Sequence, residues 1–342
     1  MNSIDNFRFF DELDDEDALD AFLQFDGQRP RNPRGRLSRK LEQEERAYIA
    51  AQDESRSNFE FTYRASRYEA DWLLDSLQAF YEQKWISDVL LKVKGGKEAS
   101  VYLCKSGTAV DTDVLAAKVY RPRSLRNLKN DHLYRVGRVD LDEDGLPIVK
   151  DAPLNAIRWR TTYGEKLRHQ SWIAYEFKAL QVLDQAGANV PKPYAMGNNA
   201  ILMTYIGEPG LAAPTLQSLR IPPAEAETLF QVAMENIDLM LARDLIHADL
   251  SAYNILYWDG GLTMIDFPQV VDPNGNPVAW ELFRRDVARV CAYFTSQGVE
   301  SDPYELAASL WRAHGRRITR RADPRFLDAD DPEDRKVWER EG

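Results

Sequence analysis

Three side chains in the stretch Leu245 to Gln269 have the types and spacing that metal-assisted phosphate chemistry needs: Asp249, Asn254 and Asp266. A nucleotide brings several negative charges and calls for a hard, oxygen-ligated cation. Magnesium suits that task, because it keeps part of its water shell and takes only one or two protein carboxylates. Asp266 fits such a carboxylate, Asn254 offers a neutral carbonyl oxygen, and Asp249 can orient an acceptor hydroxyl or take its proton. Between Asn254 and Asp266 lie two apolar runs, Ile255-Leu256-Tyr257 and Leu262, Met264, Ile265, separated by Asp259-Gly260-Gly261. That pattern predicts a short β-hairpin that folds Asp266 back towards Asp249. The bland alternative is a strand-turn-strand with solvated acids; a hairpin in register favours the chemical reading.

Anionic phosphates also need a cation from the protein. The strand-like segment Val114 to Arg121 places Lys118 beside Leu115, Ala117 and Val119, a charge inside a run that otherwise reads as buried. Such a lysine needs partners, and phosphates together with a carboxylate would supply them. The helical pattern Ile173, Phe177, Leu180, Leu183 carries Glu176 one step round from its apolar face, which makes Glu176 the candidate partner and Glu165 its competitor. Upstream, Val89 to Val93 and Ala99 to Leu103 read as two strands around Gly95-Gly96, whose small size lets backbone amides approach a phosphate. The loop and the strand after it, Gly95, Gly96, Lys97, Glu98, Ser100 and Val101, are the candidate nucleotide cover. The strand at Ala200 to Met203 leads into Thr204 to Glu208, where backbone groups around Tyr205 could meet an adenine edge between Met203 and Ile206.

Amphipathic helices are predicted from Tyr68 (Leu73, Leu77, Phe80), after Pro222-Pro223 (Leu229, Val232, Ala233, Ile237, Met240, Leu241), over Trp280 to Phe294, and from Asp302-Pro303 to His314. Asp286, inside the third of these, reads equally as a surface ion pair with neighbouring arginines or as an anchor for the loop around Asp249. Residues 1–27 are acidic with spaced aromatics, residues 28–40 are basic and interrupted by Pro and Gly, and Arg121 to Ser171 reads as a long charged insertion. The predicted partition is a charged extension at 1–65, a β-rich lobe at 66–206, a helical lobe at 207–314 and a charged tail at 315–342.

A net charge of −11 excludes a wholly basic nucleic-acid scaffold while allowing local basic patches at 28–40 and 316–321. No apolar run approaches the roughly 20 residues that span a bilayer, and the acidic N-terminus is unlike a signal peptide, so a cytoplasmic address without membrane contact is expected. The only cysteines, Cys104 and Cys291, have the spacing of neither a disulfide framework nor a zinc site.

Taken together, the motifs resemble RIO-type atypical serine/threonine protein kinases, of the subgroup without an N-terminal winged helix. The matching text is GGKEASVY at 95–102, AAKVYR at 116–121, YEFKAL at 175–180, VPKP at 190–193, YIGEPGLAAPTL at 205–216, HADLSAYNIL at 247–256 and IDFPQVVDP at 265–273. The resemblance implies an α+β, two-lobed protein-kinase-like fold with ATP between the lobes. It further implies Lys118 paired with Glu176, Asp249 as catalytic residue, and Asn254 and Asp266 on Mg2+. Phe267-Pro268 stands where ordinary kinases have Phe-Gly, Ser251 where many have a lysine, and Gly95 where the family usually has Ser or Thr. The family's gaps go with autophosphorylation and an ATPase cycle in which Asp266 can accept phosphate. Two other readings stay open: a kinase of small alcohols such as aminoglycosides or choline, and an ATP-gated assembly factor docking on a ribosomal subunit or other RNA-protein partner.

Overall fold

Alternation along one strand decides which way its partly buried lysine points. In β3 (Val114–Tyr120), Leu115, Ala117 and Val119 face one side of the sheet, and Ala116, Lys118 and Tyr120 face the other, because successive side chains of a strand point to opposite faces. The first set packs under α1 (Arg67–Glu82) through Leu73, Leu77 and Phe80. The second set faces the helix at Thr162–Gln185. The computed structural model describes residues 59–96, 98–121, 138–142, 145–159 and 161–318. Residues 1–58, Lys97, the stretch 122–137 of the charged segment and the tail from 319 lie outside them, and with them the expectations for the N-terminal extension.

The sheet has five antiparallel strands in the order β1-β2-β3-β5-β4. They are β1 (Ile86–Gly95), β2 (Ala99–Ser106), β3, β4 (Pro193–Met196) and β5 (Ala200–Thr204). In the central register Val101 lies opposite Lys118, which in turn lies opposite Ile201. The β1–β2 connection is so tight that a Cβ on Gly96 would sit 2.8 Å from the Ala99 carbonyl oxygen, so glycine is required there. Packing begins upstream of the expected boundary at 66: Phe59 is buried and stacks on Tyr81, with ring centroids 4.4 Å apart.

After the described part of the charged segment come α2 (Asp151–Arg158) and α3 (Thr162–Gln185). The insertion expected to run to Ser171 therefore gives way to helix already at Asp151, and the long helix α3 begins at Thr162, where Thr161 caps it by accepting from the Gly164 N–H. The buried face of α3 is also rotated from the expected one. Ile173, Glu176, Leu180 and Leu183 are buried and Phe177 only partly so, which puts Glu176 in the seam with the sheet.

The chain then crosses through Tyr205 and Ile206 and a minimal pair of strands, β6 (Gly207–Glu208) and β7 (Leu211–Ala212), into a mainly helical half. That half is built from α4 (Pro223–Ala242), the hairpin of β8 (Ile255–Trp258) and β9 (Gly261–Met264), α5 (Ala279–Ser296) and α6 (Pro303–Ala313). Leu229, Ala233, Ile237, Met240 and Leu241 of α4 pack in one hydrophobic core with Leu250, Ile255, Leu262, Phe267 and Val287. Among the described residues no helix is long and apolar enough to cross a membrane. Cys104 and Cys291 are both free and buried.

Candidate functional site

The β8–β9 hairpin does what its sequence predicts. Asp259 and Gly260 both have positive φ, 49° and 75°, as the tight turn between twisted strands requires. Register pairs Ile255 with Met264, and the next bond, from Ile265 N–H to the Asn254 carbonyl at 2.9 Å, sets Asp266 beside Asn254. The Asn254 amide nitrogen donates to the Asp249 carbonyl at 2.9 Å, so its Oδ1 points away from that bond and can serve a cation. Asp249, Asn254 and Asp266 are thereby held near one another by one side-chain-to-backbone bond and one backbone bond.

Lys118 closes the arrangement from the sheet. Its Nζ lies 2.6 Å from Glu176 Oε1 and 2.5 Å from Asp266 Oδ1. Burial alone would drive the Lys118 pKa down; the Asp266 and Glu176 carboxylates outweigh it and raise it, so the lysine stays charged. Partial burial likewise works to raise Asp266, yet Lys118 wins and holds its carboxyl below the ordinary range. Glu176 is 1% exposed, and burial pushes its carboxyl up despite Lys118 and despite the Tyr120 hydroxyl, which donates to Oε2 at 2.5 Å. Glu165, the competitor for Lys118, instead pairs with Arg168 at 3.2 Å.

Loop geometry around Asp249 and Asp266 is unusual and heavily braced. Ala248 and Asp266 have φ of 64° and 73°, a region that costs about 1–3 kcal/mol for a residue with a side chain. His247 is buried; its Nε2–H donates to the Ile265 carbonyl at 3.0 Å and its ring lies 4.7 Å from that of Phe267. Burial lowers its pKa, so it serves as a neutral brace. Asp286 accepts from the Ala248 N–H at 2.7 Å and Arg285 donates to the Ala248 carbonyl, which resolves the two readings of Asp286: it is 2% exposed and anchors the loop.

Asp286 also makes stability depend on pH. Burial pushes its carboxyl up to about 7, against the pull of Arg285 and the Ala248 N–H. A carboxyl whose folded pKa exceeds its unfolded value binds protons more tightly in the folded state, so it favours folding increasingly as pH falls from about 7 towards about 4. The melting temperature of the native chain minus that of Asp286→Asn, which keeps an oxygen for Ala248, is therefore expected to rise as pH is lowered from 8 to 5. A difference that stays flat would overturn the assignment.

The remaining candidates are dispersed. Gly95 pairs with Ser100 at the β1–β2 end, Glu98 accepts from the Arg121 N–H at 2.8 Å, Ser100 is buried, and Val101 lies across from Lys118; Lys97 is outside the described residues. Met203 and Tyr205 are 9% exposed, and the Ile206 carbonyl accepts from Ala213 at 3.1 Å, which pins the crossover. Among the described residues no group of three or more His, Cys, Asp or Glu could hold a metal. One carboxylate and one amide, completed by substrate oxygens, is what magnesium accepts.

Sequence reasoning assigns no role to several contacts. Lys94 adds positive charge near Asp266. Arg138 donates to the carbonyls of Pro268, at 3.1 Å, and of Val270, and sits 4.9 Å from the centre of the Tyr175 ring. Arg289 Nη1 lies 3.0 Å from Asp249 Oδ1. The only sequence signal for Arg289 is its place one turn after Asp286.

Comparison with known proteins gives a family match and several relatives. The family model described as RIO domain matches residues 155–306. The RIO-type serine/threonine-protein kinase Rio1 of Haloferax volcanii is 31% identical over 212 residues, 61% of this chain and 64% of that protein. Its namesake in Thermoplasma acidophilum is 33% identical over 135 residues, 40% of this chain and 69% of the relative. The serine/threonine-protein kinase RIO1 of Caenorhabditis elegans is 29% identical over 218 residues, 61% of this chain but 38% of the relative. The crystal structure of the Rio2 kinase from Chaetomium thermophilum superposes with a TM-score of 0.49 at 20% identity, over 86% of this chain and 87% of that one.

Proposed function

The chain belongs to the RIO-type serine/threonine-protein kinase family, and on that premise we propose that it is a magnesium-dependent ATP phosphotransferase acting on protein hydroxyls, its own included. The observation that carries this reading is the reach of Lys118: one ammonium within 2.6 Å of Glu176 and 2.5 Å of Asp266. Glu176 fixes the lysine where α- and β-phosphate oxygens can share it, and Asp266 with Asn254 Oδ1 forms the protein's part of a metal site. A magnesium ion there would neutralise phosphate charge as the γ-phosphoryl group leaves.

Each remaining residue has a role in the same transfer. The backbone of Gly95, Gly96 and Glu98 to Val101 covers the phosphates, backbone groups around Tyr205 meet the adenine edge, and Met203 and Ile206 wall it. The acceptor hydroxyl oxygen bonds to the γ-phosphorus, the bond from that phosphorus to the β-γ bridging oxygen breaks, ADP departs, and the hydroxyl proton passes to Asp249. Family membership favours a serine or threonine hydroxyl over a small alcohol. A docking role on an RNA-protein partner draws no support from Arg316, which is committed to Asp244 and Asn274.

Intact-protein mass measurement after incubation with ATP and magnesium tests the proposal. The expected result is a gain of phosphate that chelation of the metal abolishes. Acid-stable adducts mark Ser/Thr, and hydroxylamine-labile adducts mark Asp266 as an acyl phosphate. A chain that neither gains phosphate nor releases ADP would overturn the proposal.

A further inference from the structure

One face of α5 meets the loop around Asp249 at three successive points. Arg285, Asp286 and Arg289 stand at i, i+1 and i+4, so a single helical turn presents them together. The first two hold backbone, the carbonyl and the N–H of Ala248. That double grip over-determines the left-handed Ala248, but it leaves the neighbouring side chain unconstrained: the Asp249 carboxylate is 42% exposed and free to rotate about χ1 and χ2 as far as the backbone is concerned. The third contact supplies what the others do not. Arg289 Nη1 reaches Asp249 Oδ1 at 3.0 Å and engages one oxygen, while Oδ2 takes no hydrogen bond from any described residue.

We propose that Arg289 is the positioning residue for Asp249: it fixes the carboxylate by Oδ1, turns Oδ2 to the acceptor hydroxyl, and keeps a positive charge beside the point where phosphoryl transfer occurs. This rests on the phosphotransfer reading above. As a source of stability the pair is slight, since ion pairs between exposed groups contribute about 0–1 kcal/mol. Its value lies in geometry. A general base must sit within hydrogen-bond reach of the proton it takes, and small misplacements of reacting groups cost up to about a hundredfold in rate. The charge belongs on the helix because the loop itself has none to give: between Asp249 and Asn254 the chain reads Leu250, Ser251, Ala252, Tyr253.

The test compares Arg289→Met and Arg289→Lys with the native chain in single-turnover assays with ATP and magnesium. Arg289→Met is expected to lower the transfer rate about ten- to a hundredfold with KM for ATP changed less than about twofold. Arg289→Lys is expected to recover most of the loss, since a one-oxygen contact does not need the guanidinium fork. In an Asp249→Asn background the Arg289→Met change should have almost no further effect, as expected for a residue that acts through its partner. Full activity in Arg289→Met, a rise in KM for ATP in place of the rate loss, or an undiminished loss in the Asp249→Asn background would each overturn the inference. In all three cases the native chain still transfers phosphate and the phosphotransfer reading stands; a native chain that transfers none overturns both. Arg289 is 43% exposed, and unchanged melting temperatures for both variants separate positioning from unfolding.

Discussion

Lys118→Met is expected to reduce phosphate transfer by at least about a hundredfold, the scale on which removal of one preorganised charge or donor acts. Methionine fills the volume of the lysine stem but leaves Glu176 and Asp266 facing each other without a cation. Their consequences differ. Asp266 is 43% exposed and recovers water, whereas Glu176 is 1% exposed and has no such recourse. Breaking a buried pair from one side costs about 3–5 kcal/mol. Here the lower end is expected, because Glu176 is already raised by burial and can take a proton while its Oε2 stays bonded to Tyr120. Transfer rates and thermal melts on the same preparation check both parts. A variant within tenfold of the native rate would remove Lys118 from the phosphate site.

Asp249→Asn is expected to lower turnover by about two to four decades, the usual range for a general base, with KM for ATP nearly unchanged. The two effects separate because the proposed arrangement holds the nucleotide elsewhere, through Lys118, Asp266 and the sheet. Asparagine is nearly isosteric, and the Asn254 bond runs to the backbone carbonyl of residue 249, so the loop persists. Only the exposed pair with Arg289 is lost, at about 0–1 kcal/mol. Turnover within tenfold of native, or a loss expressed wholly in KM, would move the base to another residue.

How legible each part of the site is depends on how local its contacts are. Asp249, Asn254 and Asp266 are joined by a four-residue loop and a hairpin whose turn, Asp259-Gly260, announces itself; hairpin register follows from turn type, so their juxtaposition is legible in the residue order alone. Lys118 is conspicuous because a charge in a buried run demands an explanation. Glu176 lies on the helix that the periodicity predicts, but in the centre of its buried face and not one step round from it. An apolar pattern admits a rotation of one residue, and the packing of α3 on the sheet chose the face containing Ile173, Glu176 and Leu180 over the one containing Phe177. Asp286 is ambiguous in the sequence because a carboxylate among arginines has one composition whether it lies on a surface or in a core.

The sequence by itself determined the residue types, the hairpin, the amphipathic helices and the family, since each follows from short-range spacing or from matching text. Glu176 is the partner that the sequence names for Lys118, 58 residues away, with Glu165 left open, and the packing of α3 chose between them; only the tertiary structure decided that α5 brings Asp286 and Arg289 to Ala248 and Asp249, 38 and 40 residues away. The physical reason is that burial and ion pairing across such separations are set by how whole elements pack. A helix can be placed by its own periodicity, but which of its charged residues meets a distant loop depends on its rotation and offset, and the chain's local pattern does not encode these.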